Sequence, residues 1–325
     1  MRSAPMTKPH ATPGSGLTSL VMDRPYLLLT LTPLFWAGNA VAGKMAVDQV
    51  DPYTLIVMRW LAALLIVLPF AWRHLRADWP AIRKGWLMLT LYGAIGYTGF
   101  NVLLYGAAHY TSAVNTSIEQ ALIPVLVILA NFVIFRVRST PLQLLGVFLT
   151  IFGVVYTAVH GDFGRLVTLD VNFGDALMIL ASISYAAYSL LLRYRPSIHW
   201  LSFLVTTFAA ALMAGYVFQV LLGGGFGAIF TGLAHTTPLG WAIIAYVAFL
   251  PSVIAQLFYA RGVEIIGPNR ASLFINLIPV YGTILSIVIL SEPLEPYHMI
   301  TAVLVILGIA LAEFSVRMLK RSPQG

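Results

Sequence analysis

Long runs of apolar residues follow one another along the chain, separated by short links that carry most of the charge, Gly and Pro. A helix that crosses about 30 Å of hydrocarbon needs roughly 20 mostly apolar residues. Ten runs have about that length, at positions 25–46, 52–72, 85–108, 112–135, 141–159, 172–195, 199–220, 237–260, 269–290 and 296–317. The pattern predicts an all-α polytopic membrane protein with ten transmembrane helices.

The basic residues give these helices an orientation. With the N-terminus placed inside, 16 of the 19 Lys and Arg lie in inside segments, Lys44 and Arg59 lie within helices, and only Arg165 lies in an outside loop. Cytoplasmic loops of membrane proteins carry such an excess of Lys and Arg. We therefore expect a multi-pass protein of the cell membrane with both termini cytoplasmic. Because topology accounts for the net charge of +7, we expect no nucleic-acid partner.

Composition and missing motifs narrow the possible functions further. Charged residues make up 10% of the chain, against about 25% in soluble domains. The chain has no cysteine, which excludes disulfides and thiolate metal sites, and its seven histidines are not clustered. No Walker A, zinc-protease or nucleophile-elbow motif occurs. We expect no catalytic residue, no metal site, no cofactor and no ATP coupling.

The two halves of the chain resemble each other. The tetrapeptide LIPV occurs at 122–125 and again at 277–280, and the same offset aligns Pro141 with Pro296. Five helices per half make the second half enter the membrane from the opposite side, and such inverted repeats bind substrates between the halves near the midplane. The predicted divisions are a disordered cytoplasmic tail (1–24), a first repeat (25–160), an external linker (161–171), a second repeat (172–318) and a cytoplasmic tail (319–325).

Three motifs link the chain to a known family. They are FWAGNAVAGK with Trp36–Gly38, DPYTLIVMRW with Arg59, and SEPLEPYHMITAVLVILGIAL with Glu292–Pro293. Together with the ten helices they resemble the drug/metabolite transporter superfamily, in its EamA-like group. The second repeat departs from the pattern, since Tyr185 replaces the tryptophan and no arginine lies near Thr206. The resemblance implies export or exchange of small organic metabolites.

Four polar residues on consecutive helices share one predicted depth. Asn39, Arg59, Asn101 and Glu119 each lie about seven residues from the outer end of their helix, or roughly 10 Å along it. Arg59 and Glu119 have opposite charges at equal depth, so we expect Glu119 to face Arg59, a cavity, or both. The pair could also be a buried structural ion pair without a ligand.

Helical spacing extends this layer into a candidate substrate site. Asn115 and Glu119 are four residues apart, and Tyr185 and Tyr188 are three apart, so each pair shares one helix face. The predicted substrate-binding residues are Trp36, Asn39, Arg59, Asn101, Tyr105, Asn115 and Glu119 in the first repeat, with Tyr185, Tyr188, Gln256, Tyr259 and Asn276 in the second. An aromatic, amide-lined cavity with one acid and one base suits a small amphipathic or zwitterionic solute.

These residues predict a secondary transporter that works by alternating access and exports amino-acid-like or other amphipathic metabolites. Pro124 and Pro279 are matched bends for gating, and the energy comes either from the solute gradient or from a proton taken by Glu119. The partners are then a small solute and the bilayer, with protons as a second possibility, and the protein is a monomer or homodimer. The alternatives are an exchanger or importer of sugar-type or nucleoside-type solutes, a passive channel, and a membrane-embedded lipid-modifying enzyme.

Overall fold

Helices account for all regular secondary structure that the computed structural model describes, which covers residues 22–136, 140–164, 172–266 and 271–321. Parts of the predicted tails (1–21 and 322–325) and of the predicted linker (165–171) lie outside the described residues. The ten main helices are α1 Pro25–Met45, α2 Pro52–Lys84, α3 Trp86–Ala107, α4 Ala113–Val133, α5 Pro141–Ala158, α6 Phe173–Tyr194, α7 Trp200–Leu222, α8 Pro238–Ile266, α9 Phe274–Leu290 and α10 Pro296–Arg321.

The helices have the composition that a membrane requires. Eight of those described are long and apolar enough to cross a bilayer, and α9 and α10 contain shorter apolar segments, Phe274–Leu290 and Pro296–Leu311. Large apolar side chains such as Phe70, Met213 and Val288 point outward, each 72–73% exposed. An exposed apolar surface of this extent suits contact with lipid. The predicted all-helical membrane fold is confirmed.

Polar capping residues begin several helices, and three of these residues are followed by proline. The Asp51 carboxylate accepts a hydrogen bond from the Thr54 N–H at 2.7 Å, and Pro52 opens α2. Thr140 and Thr237 cap α5 and α8 in the same way. Such side chains satisfy amide donors that the first helical turn leaves unpaired, and proline at the first position loses no hydrogen bond. These positions explain why most predicted starts agree with the structure to within a residue or two.

Two predicted links are helical instead. The segment RHLRADWPAIRK continues α2 without a break to Lys84, and the segment after α7 contains a short helix, Ala228–His235. The thickness of the membrane limits the length of an apolar run. It does not limit the length of the helix, because the helical backbone hydrogen bonds can continue outside the membrane. The apolar pattern therefore marks where a helix leaves the membrane rather than where it ends.

Packing between the halves repeats in a symmetric way. Helices α2 and α7, which occupy equivalent places in the two repeats, pack against each other, as do α5 and α10. Helix α1 packs on α8 and α9, and its counterpart α6 packs on α3 and α4. Each of these interfaces either joins two equivalent helices or has an equivalent interface in the other half. Two repeats related by a two-fold axis require this arrangement.

Four membrane helices contain irregular segments. A π-helical stretch, Tyr92–Gly99, interrupts α3, and another, Leu250–Ile254, interrupts α8. Helix α4 breaks between Glu119 and Leu122, and the start of α9 belongs to a 3₁₀ segment, Ser272–Leu277. Such interruptions leave backbone groups free for other partners and occur frequently at functional sites.

Candidate functional site

A cavity between the two repeats is lined by all four irregular segments. They contribute Gly96 and Tyr97 from α3, Gln120 and Ala121 from α4, Pro251 and Ser252 from α8, and Ile275 and Asn276 from α9. The centre of a water molecule could occupy about 90 Å³ of this cavity. By the same measure one water needs roughly 10–15 Å³, so the cavity has room for a solute of several heavy atoms.

Arg59 is at the centre of the polar wall. Its side chain is 4% exposed, and its Nη1 donates to Asn39 Oδ1 at 2.7 Å, to Asn101 Oδ1 at 2.8 Å and to the Tyr105 hydroxyl at 2.6 Å. Its Nε donates to Ser252 Oγ at 2.7 Å. The guanidinium also lies over the Trp60 ring, 4.7 Å from the centroid. Residues of both repeats thus hold one buried cation.

All of these partners are neutral. The ion pairs found among the described residues involve Arg261 and His160, not Arg59, and Nη2 of Arg59 donates to none of the described side chains or carbonyls. Neutral dipoles orient a guanidinium without cancelling its charge. The cavity wall therefore has a net positive charge and one unused donor group, which together attract an anion.

Aromatic rings form much of the remaining wall. Trp36 donates its indole N–H to the Pro251 carbonyl at 3.1 Å, a contact that joins α1 to the irregular part of α8. Phe100 meets Tyr185 edge to face at 5.2 Å, across the boundary between the repeats. Trp60 and Tyr97 are stacked with their centroids 5.1 Å apart. These rings offer a rigid apolar surface beside the cation.

Most of the predicted substrate-binding residues meet at this cavity. Those that line it are Trp36, Asn39, Arg59, Asn101, Tyr185, Gln256 and Asn276, together with both predicted gating prolines, Pro124 and Pro279. Three predicted tyrosines lie behind the wall. Tyr105 binds Arg59, Tyr259 packs on Trp36 at 5.6 Å, and Tyr188 packs on Tyr185 at 5.3 Å.

The structure corrects the predicted pairing of Arg59 with Glu119. Glu119 is fully buried away from the cavity, whose wall is formed instead by the next residue, Gln120. Successive residues of a helix point about 100° apart, so equal depth did not place the carboxylate on the side of α4 that faces Arg59. Asn115, one turn before Glu119, likewise lies outside the cavity wall.

Several lining residues were not predicted from the sequence, among them Trp60, Tyr97, Gln120 and Ser252. Ser252 and Tyr97 lie in the π-helical stretches, whose altered turn shifts them onto the cavity side. The dipeptide Pro251–Ser252 inside an apolar run was the signal that could have identified one of these stretches, because an internal proline disrupts regular helix hydrogen bonding.

Asn115 belongs to a second buried polar cluster. Its Oδ1 lies 2.9 Å from His298 Nε2 on α10, and its Nδ2 donates to Thr111 Oγ1 at 3.2 Å and to Asp175 Oδ1 at 3.4 Å. Asp175, at the start of α6, also accepts from the Thr111 hydroxyl, and its Oδ2 lies 3.5 Å from His160 Nε2. The cluster lies where α4 and α6 begin, apart from the cavity.

Among the described residues, no group of three or more His, Asp or Glu side chains is arranged to hold a metal ion, in this cluster or elsewhere. No cofactor-binding motif was found in the sequence either.

Comparison with known proteins matches both halves to one family. The model of the "EamA-like transporter family" matches residues 24–159 and again residues 172–314. The "Uncharacterized transporter YyaM" of Bacillus subtilis is 29% identical over 91% of this chain and 95% of its own length. An "Uncharacterized transporter" of Archaeoglobus fulgidus is 27% identical over 89% of this chain and 97% of its own.

Two further matches are a relative whose name includes a substrate class and a protein of known structure. The "Probable terminal-alkyne amino-acid exporter" of Streptantibioticus cattleyicolor is 26% identical over 87% of this chain and 91% of its own length. A solved crystal structure aligns with a TM-score of 0.60 and 16% identity, covering 91% of this chain and 99% of that chain. The structural match supports the fold alone.

Proposed function

The chain belongs to the EamA-like transporter family, and on that premise we propose that it exports small solutes bearing a carboxylate, such as amino acids, by alternating access. The observation that carries the proposal is the buried Arg59, whose described partners are all neutral and whose guanidinium lines the cavity between the repeats. A carboxylate bound there would supply the missing negative charge.

The geometry of Arg59 favours a carboxylate over a neutral polar group. The bonds from Nε and Nη1 to four protein groups fix the plane of the guanidinium and leave Nη2 available. Charge-assisted hydrogen bonds from arginine to a carboxylate are roughly twice as strong as neutral ones. Since the site is largely shielded from water, the bound anion competes with little solvent for these donors.

The rest of the cavity suits the remainder of an amino acid. Gln120, Gln256 and Asn276 line the same space, and an amide oxygen can accept a hydrogen bond from an ammonium group. The rings of Trp36 and Tyr185 provide an apolar surface for a side chain. The limited space favours a solute of amino-acid size over a nucleoside or an oligosaccharide in this conformation.

Two further observations support the direction of transport and the alternating-access mechanism. The "Probable terminal-alkyne amino-acid exporter" of Streptantibioticus cattleyicolor aligns with 87% of this chain, and its name motivates the choice of export. Pro124 and Pro279, at equivalent places in the two repeats, both line the cavity beside helix interruptions. We take them as the bends at which α4 and α9 open the cavity to opposite sides in turn.

A binding comparison tests the substrate class. We expect a set of L-amino acids to raise the melting temperature of the purified protein, and the matched amino-acid amides, which lack the carboxylate, to give no shift at the same concentrations. Counterflow in proteoliposomes should then show exchange of labelled amino acid. Equal stabilisation by acids and amides, or by nucleosides and sugars alone, would contradict the proposal.

Cysteine labelling tests the orientation on which export depends. We expect single cysteines at the exposed positions Asp48 and Thr231 to react with an impermeant maleimide in whole cells, because both lie at the predicted outer end. Cysteines at the exposed positions Ala77 and Ser197 should react only after the cells are opened. The reverse pattern would place both termini outside and turn the proposed direction around.

The proposed gating role of the prolines can be tested by measuring transport rates. Replacing Pro124 or Pro279 with alanine restores a backbone donor and straightens the helix, so we expect the transport rate to fall several-fold while the yield of folded protein changes little. Pro69→Ala in α2, which lies away from the cavity, is the matched control. If both gate variants transport at the parental rate, the bends have no part in gating.

A further inference from the structure

Glu119 is the most isolated ionisable side chain in the described part of the protein. It is fully buried, and neither carboxylate oxygen accepts a hydrogen bond from any described residue. A buried charge without a partner is strongly disfavoured, and a carboxyl group in that position takes up a proton instead. In this conformation Glu119 is therefore a neutral acid.

Asp175 has the opposite character. The Thr111 hydroxyl and the Asn115 amide both donate to its Oδ1, and His160 lies beside its Oδ2. Hydrogen bonds of this kind stabilise the ionised form of a carboxyl group. Asp175 is therefore the better stabilised of the two carboxylates.

The hydrogen-bond directions in the cluster follow from a backbone contact. The backbone N–H of Glu295 donates to His298 Nδ1 at 2.9 Å, so in the neutral ring the proton is on Nε2. Nε2 then donates to Asn115 Oδ1 at 2.9 Å, which turns the amide nitrogen of Asn115 toward Asp175. Donors thus point at Asp175 from α4 and from the link that precedes it.

The two carboxyl groups are on facing helices. Asn115 and Glu119 are one turn apart on α4, and Ser182, two turns after Asp175 on α6, donates to the Glu119 carbonyl at 3.3 Å. Helix side chains lean toward the N-terminus, which brings the Glu119 side chain toward the level of Asn115 and Asp175. Two such carboxyl groups cannot both be ionised at low cost.

We propose that Glu119 and Asp175 form a proton-binding site outside the solute cavity, with the proton on Glu119 and the charge on Asp175 in this conformation. His160, whose side chain is 29% exposed, connects the site to the surface. The proton-binding site itself is independent of the solute, whereas its coupling to transport rests on the proposed function.

The other charged or titratable groups around α4 are engaged elsewhere or neutral. Lys44 on α1 donates to the carbonyls of Ala108 and Thr111, both at 2.8 Å. Glu292, just before α10, accepts from the backbone N–H groups of Ala113 and Val114, both at 2.9 Å. His298 on α10 is the neutral donor described above, and Tyr281 is the titratable residue of α9. Among these groups, Asp175 is the one that opposes ionisation of Glu119.

Coupling would run through α4. Glu119 faces α6, while Gln120 and Pro124 on the same helix line the solute cavity. A movement that separates α4 from α6 would let water reach Glu119 and release the proton, and it would move the cavity wall at the same time. Proton release and solute release would then occur in the same conformational change.

Infrared spectroscopy of the purified full-length protein, with no solute added, tests the site. We expect a carboxylic-acid C=O band at neutral pH that shifts in D₂O, fades as the pH is raised, and is absent in Glu119→Gln. In Asp175→Asn the band should fade at a lower pH, because the neighbouring negative charge that opposes ionisation is gone. Glu264→Gln, at an exposed glutamate paired with Arg261 at 3.2 Å, should leave the band unchanged.

Each outcome decides the proposal. A missing band in the parent, or a band that persists in Glu119→Gln, would overturn it. If Glu119→Gln does not fold, Glu119→Asp takes its place and should shift the band, since it keeps an acid in a changed position; an unshifted band would overturn the proposal equally. Failure of amino acids to bind would contradict the proposed function and leave this result untouched.

Discussion

Replacing Arg59 with alanine is expected to abolish detectable binding of amino acids while leaving the protein folded. Truncating one partner of a buried, hydrogen-bonded charge pair costs about 2–5 kcal/mol, which corresponds to roughly 30-fold to several thousandfold in affinity. Folding should survive because no described carboxylate depends on Arg59. Its partners also hold one another, since the Tyr105 hydroxyl donates to Asn39 at 2.8 Å and Ser252 to the Val247 carbonyl at 2.8 Å.

Two variants separate charge from geometry in this experiment. Arg59→Lys keeps the charge but loses the planar fork that binds four protein groups at once, so we expect partial binding with a clear loss of affinity. Arg76→Ala removes an exposed arginine that lies over Trp72, far from the cavity wall, and should bind amino acids like the parent. Binding is read by thermal shift and counterflow. Parental affinity in Arg59→Ala would show that the cavity does not use this cation.

The sequence predicted the helices well because the membrane imposes a simple rule. Every buried backbone group in lipid must be satisfied within its own helix, so each long apolar run must be helical, and capping residues such as Thr140 and Thr237 mark where helices start. Axial depth follows from counting residues. That is why Asn39, Arg59 and Asn101 were correctly expected at one level, where they now form one hydrogen-bonded group.

The direction in which a side chain points around its helix axis could not be obtained by counting residues. Whether Glu119 or Gln120 faces the cavity depends on how α4 packs against α6 and α9, which is a property of the whole bundle. The π-helical stretches of α3 and α8 add a further local rotation that a regular 3.6-residue period does not contain. The predicted pairing of Arg59 with Glu119 was wrong for this reason, although both residues are buried as expected.

This rotation has a functional meaning. Had Glu119 faced Arg59, solute and proton would compete for one site. With the carboxylate on the other side of α4, the cation stays free for a solute anion and the acid stays free for a proton. In the proposed mechanism, helix α4 is the element that both ligands act on, and its break at Gln120 and Ala121 follows directly after Glu119. Coupling between sites requires such a shared element with more than one arrangement.

A close contact at Gly93 fixes α3 against α7. Gly93 lies in the π-helical stretch of α3, and a Cβ added there would come within 2.7 Å of both the Ala210 Cβ and the Ala211 backbone nitrogen. Atoms of the α7 backbone cannot move aside as a flexible side chain can. We therefore expect Gly93→Ala to push α3 and α7 apart and to destabilise the protein by about 1–3 kcal/mol, the usual cost of overpacking.

Gly227→Ala is the matched control, because nothing lies within 4 Å of a Cβ added there and its φ of −85° suits any residue. The melting temperature should fall clearly in Gly93→Ala and stay at the parental value in Gly227→Ala. The same change should also slow transport, since the displaced stretch carries Gly96 and Tyr97 of the cavity wall. Equal melting temperatures for the two variants would mean that α3 and α7 are not held at this distance.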